Sequence, residues 1–175
     1  LTWAQNATTG VYEGVPTPPS NALAAGCASI SWDRNTVQVP ELAVELTVID
    51  QNAQYGPDRL AGTGDEQAVD TNADGFAEVT VPVASDVDIS GETFTLTQIA
   101  LASPVYKGVV KLSATKGLTS GTDGVIFIQQ NGDGTAPVFI STQYNDQDIN
   151  ASGVFADYHP CPENPLIHTM QTSFV

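Results

Sequence analysis

The sequence predicts an all-β fold, a two-sheet antiparallel sandwich, on three observations. No stretch carries apolar residues at the i, i+3, i+4, i+7 spacing of a buried helix face. Short segments rich in Val, Thr, Ile and Phe instead alternate apolar with polar, the two-residue period of a half-buried strand. Gly, Pro, Asn and Asp punctuate them at the spacing of sandwich turns. A closed barrel is the alternative arrangement of the same strands.

The elements follow in order. Residues 41–50 set Leu42, Val44, Leu46 and Val48 against Ala43, Glu45 and Thr47. Residues 76–83 gather Ala77, Val79, Val81 and Val83 on one face. Further strands fit 92–101, 105–113, 124–130 and 136–144, the last with Val138, Ile140, Thr142 and Tyr144 opposite Phe139 and Ser141. Asn131, Gly132, Asp133 and Gly134 tolerate the positive φ of a tight hairpin.

The ends differ. Residues 1–21 read as an extended N-terminal segment whose 14–21 stretch is a Pro-rich linker. Residues 22–158 form the sandwich domain. Residues 159–175 are a Pro-rich hinge and a strand-like tail, with His168, Met170, Thr172 and Phe174 on one side. Such a tail packs on its own domain or reaches a neighbour.

Twenty acids against five bases give a net charge of −15. No Lys or Arg cluster exists to neutralise phosphates, so nucleic acid and anionic membranes are not expected partners. No apolar run approaches the roughly 20 residues of a membrane-spanning helix. The chain starts at Leu1, and either a removed signal peptide or a start inside a longer chain is expected. Cys27 and Cys161 read as a disulfide closing a long loop, worth about 5 kcal/mol in the chain-entropy model, or as two separate buried thiols. A bond would imply an oxidising, extracellular setting.

The sharpest motif is Asp70, Asn72 and Asp74 at positions 1, 3 and 5, Gly75 at 6, Phe76 at 7 and Glu78 at 9. Carboxylate and amide oxygens at this spacing, with a backbone carbonyl from Phe76, match the first part of a calcium loop. Val81 stands where an EF-hand needs its bidentate Glu, and the flanks are strands, so a full EF-hand is excluded. A calcium loop between strands and an Asx-rich turn that holds itself remain open. A second acidic set is Asp50, Gln51 and Asn52 with Asn145, Asp146, Gln147 and Asp148, either a cation site where two strand ends meet or a solvated loop. His159, Cys161, His168 and Met170 fit no zinc or copper spacing. No nucleophile elbow, phosphate loop or His-acid-nucleophile set supports catalysis, so no enzyme is expected. Asn6-Ala7-Thr8 and Asn150-Ala151-Ser152 are glycosylation sequons.

From residue 31 to 148 the order of segments carries a resemblance. Ser31-Trp32-Asp33-Arg34-Asn35-Thr36-Val37 leads into Glu45-Leu46-Thr47-Val48-Ile49-Asp50-Gln51-Asn52, and Gly91-Glu92-Thr93-Phe94-Thr95-Leu96-Thr97 into Val105-Tyr106-Lys107-Gly108-Val109-Val110. Gly132-Asp133-Gly134 and Thr142-Gln143-Tyr144-Asn145-Asp146-Gln147-Asp148 close the series. This pattern resembles the immunoglobulin-like extracellular domains of bacterial and archaeal surface, adhesin and surface-layer proteins. The resemblance implies an immunoglobulin-like sandwich with cations between strand ends, and it implies one site holding Asp50, Asn52, Asp146 and Asp148.

Two functions are expected from this. One is an extracellular structural subunit of a cell-surface filament or layer, assembled with copies of itself or other surface proteins by strand donation. Trp3, Val11, Ile167, Met170 and Phe174 would make the subunit contact. The alternative is an adhesin or carbohydrate-binding module, docking glycans on Trp3, Trp32, Tyr55 or Tyr106.

Overall fold

The computed structural model describes residues 2–5, 12–15, 28–39, 42–51, 53–54, 64, 66–114, 123–128, 137–146 and 166–174. Every regular element among them is a strand: β1 (Thr2–Gln5), β2 (Tyr12–Val15), β3 (Ser29–Trp32), β4 (Thr36–Val39), β5 (Ala43–Ile49), β6 (Glu78–Ser85), β7 (Asp88–Gln98), β8 (Val105–Ser113), β9 (Val125–Phe127), β10 (Phe139–Tyr144) and β11 (Leu166–Phe174). No helix among the described residues is long and apolar enough to cross a membrane.

Alternation decides which way the strands face. Val44, Leu46 and Val48 of β5, Val79, Val81 and Val83 of β6, and Ile140, Thr142 and Tyr144 of β10 are all buried. Their pleated neighbours lie outward, because successive side chains on a strand point to opposite faces. Leu42 departs from the expected face and is exposed, since it precedes β5 and its carbonyl only caps the Leu112 N–H at 2.9 Å. Met170 and Thr172 of β11 are buried and Ile167 is exposed, so the tail alternates as expected.

Nine strands form one sheet in the order β3-β5-β8-β7-β6-β10-β11-β4, with β9 added beside β8. All neighbours are antiparallel except β4 with β11 and β9 with β8. Strands β3 and β4 stand at opposite ends of this order, yet only residues 33–35 separate them in sequence. Eight strands laid flat would put those edges about 34 Å apart, whereas so short a crossing spans at most about 14 Å. The sheet must therefore roll, and it curls into a half-barrel around the shared core. Trp32, Val37, Leu46, Leu96, Tyr106, Ile126, Ile140 and Met170 are among its buried members.

Strand β7 starts at Asp88, four residues before the expected boundary, and ends at Gln98, three residues early. Gly91, at φ 59°, and a register shift between Val83 and Ser85 mark the irregular start of this strand. Beyond Gln98 the chain turns at Ala102, φ 57°. Strand β7 pairs with β6 from Asp88 to Thr97, and with β8 through Thr97 and Gln98. Gly108 makes this junction close: a Cβ there would sit 2.7 Å from the Thr95 carbonyl oxygen.

Thr2 pairs with Val15 and Gln5 with Tyr12, so β1 and β2 form their own hairpin, which takes Gly14 and Val15 from the expected linker. Strand β11 lies inside the main sheet, between β10 and β4. Cys27, Cys161, the 131–134 turn and both sequons lie outside the described residues.

Candidate metal centre

The loop 70–77 is an excursion closed at its base. Val69 and Glu78 exchange both backbone bonds, at 3.1 and 2.9 Å, just where β6 begins. Inside, the short acidic and amide side chains take over the work of a turn. Asp70 Oδ1 and Oδ2 accept the N–H groups of Asp74 at 3.2 Å and Gly75 at 2.9 Å. Asn72 Oδ1 also accepts from Asp74, and Asp74 Oδ1 accepts the Phe76 N–H at 2.8 Å. Ala73 and Gly75 adopt φ of 61° and 92°, left-handed conformations that fold the backbone tightly around Asp70.

Glu78 returns to this loop from the first position of β6. Its Oε2 accepts the Thr71 N–H at 2.7 Å and hydroxyl at 2.8 Å, and its Oε1 accepts from Asn72 Nδ2 at 2.9 Å. Carboxylate oxygens of Asp70, Asp74 and Glu78 consequently lie within 4.8 Å of one another. Asp70 and Asp74 are exposed, Glu78 is buried and Phe76 is half-buried. The Asx-turn bonds and a cation are chemically compatible, because each carboxylate oxygen accepts from more than one direction. Hard oxygen donors in this number suit calcium or magnesium rather than a thiophilic metal.

The second acidic set forms a buried corner. Asp50 follows β5, where its Oδ1 accepts the Ala53 N–H at 2.9 Å and its Oδ2 accepts the Tyr144 hydroxyl at 2.7 Å. Asp146, two residues past β10, accepts the Ala28 N–H at 2.9 Å. Ser29 is registered with Ile49, so Ala28 lies beside Asp50. The ends of β5 and β10 and the start of β3 therefore meet through these carboxylates, both buried. Asn52 and Asp148 lie outside the described residues.

Two phenols line this corner. Burial pushes Tyr106 up to about 12; Gln54, which donates to its hydroxyl at 3.3 Å, opposes the shift, and the Asp50 charge adds to it. Tyr144 is pushed well above the ordinary phenol range, by burial first and then by the Asp50 and Asp146 charges. Tyr106 and Trp32 are core residues, so neither offers a face to a glycan. The side chains of Trp3, Val11, Tyr55 and Phe174 lie outside the described set.

Sequence reasoning missed a third acidic group. Asp88 and Glu92 of β7 are buried beside β9. Asp88 Oδ2 accepts the Phe127 N–H at 3.1 Å, Glu92 Oε1 accepts the Asp123 N–H at 3.1 Å, and Asp123 Oδ1 accepts the Val125 N–H at 3.0 Å. Asp88 and Asp123 thus take the Phe127 and Val125 N–H groups of β9, and Glu92 holds the turn that precedes it. Asp88 and Glu92 are buried on either side of the irregularity at Gly91. No protein-family model matches this sequence, and no curated protein matches it at significant similarity.

Proposed function

We propose that this chain is a structural domain of an extracellular, cell-surface assembly, an immunoglobulin-like sandwich stiffened by calcium at its acidic loop. The observation that carries the reading is the convergence of Asp70, Asp74 and Glu78 carboxylates within 4.8 Å. Three negative charges at that separation repel by about 1 kcal/mol per pair even at the screening of bulk water. A divalent cation turns that repulsion into attraction and ties the loop to the first residue of β6. The rolled sheet supports a sandwich whose layers are joined at the β3–β4 crossing. The overall charge of −15 suits a salty, calcium-containing exterior where self-repulsion is screened.

Assembly with further copies or other surface proteins is part of this reading. Any strand exchange would use β1–β2 or another edge, because β11 is already paired on both sides. The test of the cation is thermal. Calcium at one hundred times its dissociation constant should stabilise chelated protein by about 2.7 kcal/mol, read as a raised melting temperature, and Asp70→Asn with Asp74→Asn should abolish the rise. Coincident melting curves with and without calcium would remove the cation from the proposal.

A further inference from the structure

Two surface features of this chain carry apolar side chains that folding leaves uncovered. The first is a row across three strands. Ile49 of β5 is registered with Val105 of β8, and the Val105 carbonyl accepts the Ile99 N–H at 3.0 Å just past β7. Cross-strand partners of this kind share one face and lie about 5 Å apart. Ile49 and Ile99 are exposed there, and Leu101, 72 % exposed, follows in the turn. That turn reads Ile99-Ala100-Leu101-Ala102-Ser103-Pro104, without a charge. Ala102 holds φ 57°, a conformation that Gly or Asn adopts at lower cost. The second feature is a groove of about 340 Å³ across β7, β6, β10 and β11. Ala84 and Ser141, registered side by side, are small, while Ile89 and Ile167 stand on the outer two of these four strands, 87 % and 65 % exposed. Glu92 is the one charged residue of the lining; it is buried and holds the Asp123 N–H at 3.1 Å.

Exposed apolar side chains that cluster mark interaction sites, and here one cluster projects while the other is concave. The groove lies beside residues 89–93 and the row just past Gln98, so roughly 20–33 Å of β7 separates them. One copy therefore cannot fill its own groove. On a chain of charge −15, contact through a charge-free turn and a groove whose single acid is buried lets two copies meet with the least repulsion. We infer that the row of Ile49, Val105 and Ile99, led by Leu101, seats in the β6–β10 groove of a second copy of this chain. Because the two surfaces differ, the contact is heterologous and repeats head to tail. It needs no exchange of strands, and β11 keeps both its neighbours. The inference rests on the self-assembly reading above and names the two patches that would serve it.

Salt dependence gives the contact a distinctive sign. Two molecules of charge −15 repel, so an apolar contact between them tightens as salt screens that repulsion. Raising salt from about 0.1 to 1 M shortens the screening length from about 10 to 3 Å. Sedimentation velocity over a concentration series, with calcium present, reads the effect. The expected result is concentration-dependent association that strengthens with salt. Leu101→Asp alters the tip of the row and Ile167→Asp the wall of the groove. Each should weaken association about tenfold or more, with melting temperatures unchanged because both side chains are exposed. An equimolar mixture of the two variants should form pairs and stop there, since one keeps its groove and the other its row. Association that weakens with salt, that either variant leaves intact, or that the mixture fails to restore as pairs overturns the fit of row to groove and leaves self-assembly standing. A wild-type chain that stays monomeric throughout overturns the assembly reading itself, and this contact with it.

Discussion

Tyr106 and Tyr144 carry their hydroxyls into the interior beside Asp50. An ionised phenolate there would lose its hydration and face a carboxylate, so both groups hold their protons far longer than an exposed tyrosine. The sign for stability follows from linkage. A phenol whose folded value is raised contributes stability that is present in full below its unfolded value of about 10 and is lost as pH rises toward the folded value. For Tyr106 that window runs from about 10 to about 12. Ultraviolet difference spectra across this range should show exposed tyrosines ionising first. Tyr106 and Tyr144 should ionise only together with unfolding, as reported by circular dichroism. Smooth ionisation of all five tyrosines before any unfolding would contradict the corner as described.

At the scale of the element, β9 shows how a three-residue strand is held. It pairs with β8 on one side, while on the other Asp88 of β7 accepts the Phe127 N–H and the Ser85 hydroxyl of β6 donates to the Phe127 carbonyl. A buried carboxylate that accepts a main-chain N–H makes a strong bond and occupies a group that another chain would otherwise pair with. Asp88→Ala should cost about 1–3 kcal/mol by stranding the Phe127 N–H. It should also speed amide hydrogen exchange in β9 well before exchange in β5 or β10. Uniform loss of protection across the sheet would assign Asp88 a global role instead.

The same strands show what periodicity reveals. Strand β8 runs over the predicted 105–113 because Tyr106, Val110 and Leu112 alternate inward without interruption. Strands β3 and β4 are four residues each and flank Asp33-Arg34-Asn35, too short for alternation alone to mark them. Their identity comes from partners far along the chain, β5 and β11, which local pattern cannot name. The acidic loop was legible because its oxygens recur every second residue around Gly75. Asp88 and Glu92 were not, since an acid in a strand ordinarily faces water, and only the position of β9 makes them internal.

For the whole molecule, the crossing at 33–35 sets the organisation. It hands one continuous segment from the β5 side of the sheet to the β11 side, so the first and last strands of the main sheet end beside each other. Long-range pairings of this kind slow folding, because loops must close before their contacts repay the entropy. The acidic corner lies at the far end of β3, where Ala28, Asp50 and Asp146 join three elements before the crossing begins.

The parallel pairing of β4 with β11 has a mechanical consequence. Tension drawn through the chain ahead of β4 and beyond β11 pulls these neighbours past each other along their common axis. Their hydrogen bonds, from Thr36 with Gln171 to Val39 with Phe174, then bear the load together. Handles on Glu78 and Thr97, at the open end of the β6–β7 hairpin, would instead break the bonds singly, in sequence. Single-molecule pulling should accordingly require a markedly higher rupture force in the first geometry, a property that would let the domain transmit strain without opening.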